Sequence, residues 1–163
     1  MFSLIGKTAL VTGASRGLGQ AIAIGLASAG AKVICSCSKA KGCSDTIKKI
    51  EQINGVAIEM VADLNDSDAV IRLATNGQAW QGKVDILVNN AGTIARYPAV
   101  DFPEDEWLKQ MNINVNSAFL LARLIGKGML ERQEGKIINI ASMLSYSGGV
   151  NVPAYTASKH AVA

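Results

Sequence analysis

The 163-residue chain predicts an α/β domain built on a doubly wound parallel sheet of strand order 3-2-1-4-5. Three observations predict it. Apolar, β-rich runs alternate with segments of helical periodicity. The runs are apolar on both faces, as strands are when helices cover both sides of a sheet. The glycine-rich and polar motifs follow the ends of these runs, where a doubly wound sheet gathers its ligand-binding loops beside strand 1.

Taken in order, Lys7–Thr12 (KTALVT) reads as the first strand. Leu18, Ile22, Gly25, Leu26 and Ala29 then recur at helical spacing, predicting a helix over Leu18–Ala29. Lys32–Cys37 is a second strand, and a more polar helix runs from Ser44 to Ile53. Asn54-Gly55 is a turn signal, after which Val56–Val61 is a third strand. Ser67 is placed to cap a helix reaching Gln81. Val84–Asn89 (VDILVN) is a fourth strand. A loop with Pro98 and Pro103 precedes a long helix over Glu104–Arg132, and Lys136–Ile140 is a fifth strand. The last helix begins at Pro153 or Ala154. Within the long helix, Val115, Phe119, Ala122, Gly126 and Met129 form a stripe, read first as core and second as a subunit interface. Asn112, Asn114 and Asn116 are poor helix formers, so a local distortion or a harmless polar face is expected there.

Length and composition indicate a single domain over residues 1–163. The chain is 49% hydrophobic, 5% aromatic and 18% charged, with a net charge of +3. Its basic residues are scattered and carry no interleaved aromatics, so no nucleic-acid partner is expected. The uncharged run Gly17–Ala31 is too short to span a bilayer, and Ile137–Ser158 is interrupted by Pro153, Gly148 and Gly149; no membrane partner is expected. Cys35, Cys37 and Cys43 have neither disulfide spacing nor a histidine or second cysteine pair to complete a metal site, so reduced thiols and no metal are expected. A cytoplasmic setting is the default reading.

Thr12-Gly13-Ala14-Ser15-Arg16-Gly17-Leu18-Gly19 lies between the first strand and the first helix. Glycines there let the backbone turn tightly and approach a pyrophosphate, which the helix N-terminus favours. The spacing G-x-x-x-G-x-G departs from the commoner fingerprint, and glycines at such a turn also serve packing. The second strand ends in Cys35-Ser36-Cys37-Ser38-Lys39, without the acid that usually meets a ribose 2′-hydroxyl. Arg16, Ser38 and Lys39 instead suit a 2′-phosphate, which favours NADP(H) and leaves NAD(H) possible; the alternative is a solvated loop. Asn90, Ala91 and Gly92 close the fourth strand as a small-residue loop that can pass close to a nucleotide. Asp63, with Leu64 after it, meets an adenine or caps a turn.

Near the C-terminal end stand Ser142, Tyr155 and Lys159. Tyr155 and Lys159 are four residues apart, on one face of a helix. An ammonium beside a phenol favours the phenolate and lowers a pKa that is otherwise about 10. Such a tyrosine can serve as general acid or base, and Ser142 can hold the oxygen of a carbonyl or alcohol. His160 points about 100° away from that face. With no G-x-S-x-G present, a Ser-His-Asp hydrolase is disfavoured.

Jointly, TGASRGLG (Thr12–Gly19), Asp63, NNAG (Asn89–Gly92), Asn114, Ser142 and YTASK (Tyr155–Lys159) resemble the short-chain dehydrogenase/reductase family in order and spacing. The resemblance implies a Rossmann-like fold and NAD(P)-dependent interconversion of a secondary alcohol and a ketone. It implies that Tyr155 exchanges the proton, Lys159 lowers its pKa and binds the nicotinamide ribose, Ser142 orients the substrate oxygen, and Asn114 positions a water linking Lys159 to solvent. Cofactor contacts are implied for Gly13, Ser15, Arg16, Gly17, Leu18, Gly19, Ser38, Lys39, Asp63, Leu64, Asn90, Ala91, Gly92, Tyr155 and Lys159. Gly135–Lys159 and Thr93–Tyr97 look like 2-deoxy-D-gluconate 3-dehydrogenases and related gluconate-type members, with Arg96 facing a sugar-acid carboxylate. Asn151 departs from the arginine those relatives often carry. The glycine turn and Ser38 look equally like 3-oxoacyl-[acyl carrier protein] reductases.

Members of the family continue well beyond the Tyr-x-x-x-Lys motif. The chain is therefore expected to be incomplete at its C-terminus, ending just after the start of the sixth helix. On that reading strand 5 is an uncovered edge. A homo-oligomer, tetramer or dimer, is expected of the full-length protein. The competing reading from another class is a dinucleotide-binding fragment without turnover.

Overall fold

In a computed structural model, residues 3–163 form one parallel five-stranded sheet flanked by helices. The strands are β1 (Thr8–Thr12), β2 (Lys32–Cys37), β3 (Val56–Val61), β4 (Ile86–Asn89) and β5 (Lys136–Asn139), in the order β3-β2-β1-β4-β5. The helices are α1 (Gly17–Ser28), α2 (Ser44–Gln52), α3 (Ser67–Gln81), α4 (Glu104–Met111), α5 (Ser117–Glu131) and α6 (Pro153–Val162). The fold class and strand order predicted from the sequence are those observed. All pairings are parallel, with Leu10 level with Ile34 and Leu87, and Ile34 level with Ile58.

Side chains alternate between two faces along each strand. Ala9, Val11, Val33, Cys35, Ile86 and Val88 build a core layer with Ala23 and Ala27 of α1 and Ile50 of α2. Leu10, Ile34 and Leu87 point the other way and pack with Val70 and Leu73 of α3 and Leu121 and Ile125 of α5. Full burial of one such Leu or Ile contributes about 2 kcal/mol relative to exposure. The face of α1 turned to the sheet is made of Gly19, Ala23 and Ala27 at i, i+4 spacing, which brings this helix close to the strand and its preceding turn.

Four expectations are corrected. The cap of α3 is Asp66, whose side chain accepts from the Asp68 N–H, because an aspartate one position earlier reaches the free amide better than Ser67. The long helix is three pieces: α4, a π-helical turn over Asn112–Asn116, and α5. The asparagine-rich stretch is where the regular ladder yields. The buried line of α5 is Ser117, Leu121, Ile125 and Met129 rather than the predicted stripe; Met129 alone is shared, and Phe119 is 66% exposed. Ala122 and Gly126 fit the spacing but carry too little apolar surface to demand burial. The fourth strand starts at Ile86 rather than Val84, although the backbone of Asp85 before it already bonds to Thr8 and Lys136.

Asp85 is buried at the N-terminal end of the sheet. Its carboxylate accepts from the Thr8 N–H at 2.9 Å and lies 2.9 Å from Lys83 Nζ. Its backbone N–H donates to Thr8 O, and its carbonyl accepts from Lys136 N–H. One residue thus ties β1, β4 and β5. Burial pushes its pKa up, but the Thr8 N–H and the Lys83 ammonium outweigh that, and the net direction is below the ordinary carboxylate value.

Candidate active site

The turn from β1 into α1 carries Gly13 and Gly17 with φ of +65° and +58°, backbone that a side chain opposes. Space is also decisive. A Cβ on Gly13 would lie 2.9 Å from Ala91 Cα, and one on Gly19 would lie 2.2 Å from Gly13 O and 2.4 Å from Asn90 Nδ2. The glycines therefore serve packing as well as approach: they let α1 and the loop after β4 close on the same turn. Asn90 Nδ2 donates to Thr12 O at 2.8 Å. Thr12 Oγ1 accepts from the N–H of both Asn90 and Ala91 at 3.0 Å and donates to Val88 O. Thr46 of α2 donates to Ala14 O at 2.7 Å, and Ala14 N–H donates to Ser36 O.

This turn floors a cleft of about 510 Å³ along the C-terminal ends of the strands. Gly13, Ser15, Arg16, Gly17, Leu18, Gly19, Ser38, Asp63, Leu64, Asn90, Ala91 and Gly92 all line it. Lys39 does not line it and is exposed. Asp63 both lines the cleft and caps a turn, accepting from Asn65 N–H at 2.9 Å. No acidic residue stands at the end of β2, and the start of α1 has none in its first turn. Amides at this helix start favour an anion. A dinucleotide fits the cleft on two counts: the small residues of the floor and the helix N-terminus.

The far wall is bonded, through Thr93 and Asn114, to the helix that carries Tyr155 and Lys159. Thr93 N–H donates to Asn114 Oδ1 at 2.8 Å, and Asn114 Nδ2 donates to Thr93 O at 3.0 Å and to Ser158 Oγ at 2.9 Å. The π turn thus presents a buried Asn114 to both the cleft loop and α6. Ser158 Oγ donates to Tyr155 O, fixing the turn of α6 that carries Tyr155. Pro153 at the first helical position starts α6, where its missing N–H costs nothing. Lys159 is buried, and its Nζ donates to Ile140 O at 2.6 Å and lies 5.8 Å from the Tyr155 ring centroid. A Cβ on Gly92 would be 3.9 Å from Lys159 Nζ and 3.5 Å from Asn114 Oδ1. Burial lowers the Lys159 pKa below the ordinary lysine value.

Ser142 precedes a short 3₁₀ turn over Met143–Ser145 that packs against α6. Ser142 N–H donates to Ser145 Oγ, and that hydroxyl donates to Lys159 O at 2.7 Å. Ser145 therefore links the segment of Ser142 to the helix of Lys159, a role that spacing alone did not mark. Thr12, Thr93 and Ser158 stand inside the quoted motifs with no role of their own assigned by them, and Thr46 and Ile113 lie outside every motif. Besides local bonds such as Ser158 to Tyr155, Ser145 and these polar residues find partners 14 to 79 residues away, and Ile113 lines the cleft while packing on the core. Arg96 lies on an exposed loop, and the adjoining Tyr97 N–H donates to Asn151 O at 2.9 Å. His160 is exposed and its Nδ1 pairs with Thr156 O within its own helix.

The cleft at the strand ends and the glycine turn that floors it define a dinucleotide-type α/β protein. Residues 7–163 match the short chain dehydrogenase family, and the chain belongs to it. It is 50% identical to the 2-dehydro-3-deoxy-D-gluconate 5-dehydrogenase of Bacillus subtilis (strain 168) over 163 residues, covering 99% of this chain and 63% of that relative. A gluconate 5-dehydrogenase from Burkholderia cenocepacia J2315, solved in complex with NADP and tartrate, superposes with a TM-score of 0.90 at 34% identity. That match covers 99% of this chain and 63% of the other. A 3-oxoacyl (acyl-carrier-protein) reductase from Agrobacterium tumefaciens C58, solved with NADP bound, superposes with a TM-score of 0.95 at 34% identity, covering 99% and 62%. The chain thus spans less than two thirds of the length of these proteins. Among the described residues, no helix is long and apolar enough to cross a membrane.

Proposed function

We propose that this chain provides the NADP(H) site and the proton-transfer residues of an oxidoreductase that interconverts a secondary alcohol and a ketone on a sugar acid. The observation that carries the reading is the junction at Gly92: it lines the nucleotide-sized cleft, and a Cβ placed on it would come within 4 Å of both Asn114 Oδ1 and Lys159 Nζ. The bound dinucleotide supplies or accepts the hydride. Ser142 orients the substrate oxygen. Tyr155 donates a proton to that oxygen on reduction and accepts it on oxidation. Lys159 stabilises the phenolate and holds the nicotinamide ribose, anchored from below by Ile140 O. Asn114 holds the cleft loop through Thr93 and positions a water that links Lys159 to solvent.

NADP(H) is favoured by Arg16 and Ser38 in the cleft wall and by the lack of an acid after β2. Solved relatives of this chain hold NADP. A sugar acid is favoured by the 50% identical Bacillus relative and by the loops of Arg96 and Asn151, which a backbone bond brings together. Arg96 pairs the substrate carboxylate there, with the Asn151 amide in place of a second cation. A 3-oxoacyl thioester is the second reading, supported by the Agrobacterium structure.

The test is Tyr155→Phe in the protein that contains this chain. Turnover on 3-deoxy keto sugar acids is expected to fall at least 100-fold, while the Kd for NADPH stays within about twofold. Near-normal kcat would overturn the role of Tyr155. NADPH binding without turnover on either substrate class in the unmutated protein would favour the non-catalytic reading.

A further inference from the structure

On the helix-α2 side of the sheet, a glutamate stands among cysteines. Glu59 of β3 is level with Cys35 of β2, and alternation puts Cys37 on the same face. Cys43 directly precedes α2. The Sγ atoms of Cys37 and Cys43 and a carboxylate oxygen of Glu59 all lie within 4.8 Å of one another. None of these residues has a part in the proposed reaction. Both cysteines are buried and unbridged.

The loop between them is shaped around this cluster. Lys41 N–H donates to Glu59 Oε1 and Cys43 N–H to Oε2, each at 2.7 Å. Cys37 Sγ lies 3.6 Å from Glu59 Oε2 and 3.2 Å from Lys39 O. A Cβ on Gly42 would meet Cys37 Sγ at 2.9 Å and Lys39 O at 2.8 Å, so only glycine lets the loop close over the sulfur.

Two thiols and a carboxylate are the donors of a zinc-class site. With metal–sulfur and metal–oxygen bonds of about 2.3 and 2.0 Å, a tetrahedral ion holds its sulfur and oxygen ligands about 3.5 Å apart. The Cys37–Glu59 separation already has that value. A carboxylate has about four lone-pair positions. Two hold the backbone amides and one faces the Cys37 thiol, so an ion replacing the thiol proton leaves both amide bonds intact. Lys39 O or a water completes four ligands.

We propose that Cys37, Cys43 and Glu59 bind one thiophilic divalent ion of the zinc–cadmium class. The two thiols lose their protons to the solvent as two metal–sulfur bonds form, with no change of oxidation state. Cys37 also lines the nucleotide cleft, so the cluster and the cofactor site share a wall. Because Ser38 follows Cys37, the bound ion fixes the loop that recognises the adenosine end of the cofactor.

The experiment is a titration of the purified, reduced protein with Cd²⁺, following thiolate-to-metal charge-transfer absorption and the stoichiometry by native mass spectrometry. One ion per chain is expected, with affinity lowered at least tenfold in Cys37→Ser and in Cys43→Ser and retained in Cys35→Ser. A second measurement needs no variant. Saturating Zn²⁺ should slow alkylation of Cys37 and Cys43 in the unmutated protein at least tenfold, mapped by peptide mass. Failure of the folded protein to take up Cd²⁺, uptake indifferent to Cys37→Ser and Cys43→Ser, or alkylation unchanged by Zn²⁺ would each overturn the site.

Discussion

At Gly19 the absence of a side chain is a packing requirement that the glycine turn shares with the loop after β4. A methyl group there would overlap Gly13 O at 2.2 Å, and that oxygen belongs to backbone that cannot rotate away. Gly19→Ala is therefore expected to destabilise by about 1–3 kcal/mol and to weaken NADPH binding at least tenfold, read from thermal melts with and without cofactor. An unchanged Kd would show that the turn relaxes freely. Ser38 matters for the negative charge it does not carry. An acid at this place would repel a 2′-phosphate and pair with a ribose hydroxyl. Ser38→Asp is expected to lower the NADPH-over-NADH preference at least tenfold in a titration of both cofactors. Stronger binding of NADH by the unmutated protein would instead reassign the cofactor to NAD(H).

Elements are held in register by single buried polar residues. Asp85 fastens β1, β4 and β5 through one carboxylate and two backbone groups. Its pKa lies below the unfolded value, so its charged form is favoured by folding. The stability it contributes is present above the unfolded pKa, near 3.8, and is lost as pH falls through the lower folded pKa. Asp85→Asn is expected to cost about 2 kcal/mol at neutral pH. It should also flatten the acid side of the stability curve below about pH 4, both measured by urea unfolding across pH. An acid limb as steep as that of the unmutated protein would place the lost stability elsewhere. Asn114 does related work between elements. The π turn departs from the α ladder and aims one buried amide at both Thr93 and Ser158.

Over the whole molecule, burial is uneven. The β1, β2 and β4 strands are closed on both faces, whereas Ile137 and Ile138 of β5 are 40% and 45% exposed. Leu130 at the end of α5 is 80% exposed and lines the same hollow as Ile137. An apolar edge strand of this kind invites pairing with another chain. The 163-residue chain by itself is expected to associate in solution and to bind NADPH while turning over little, checked by light scattering and by NADPH-dependent ketone reduction. A monodisperse monomer with substantial turnover would show that the β5 face needs no cover and that Tyr155 and Lys159 need no further wall.

The sequence by itself determined the class of fold, the strand order and the order of the cleft-lining motifs. Alternation, helical period and the glycine turn are local consequences of backbone geometry and need no distant partner. It also brought Tyr155 and Lys159 to one helix face, because i and i+4 meet on any α-helix. The tertiary structure decided what depends on contacts between residues far apart in the chain. It set Asp85 across three strands and exchanged the predicted stripe of α5 for the line of Leu121 and Ile125. It also turned Asn114 into a clamp and brought Glu59 to Cys37 and Cys43. In each case the deciding quantity is which buried donor or acceptor finds its partner when two elements pack, and spacing along one segment carries no record of that.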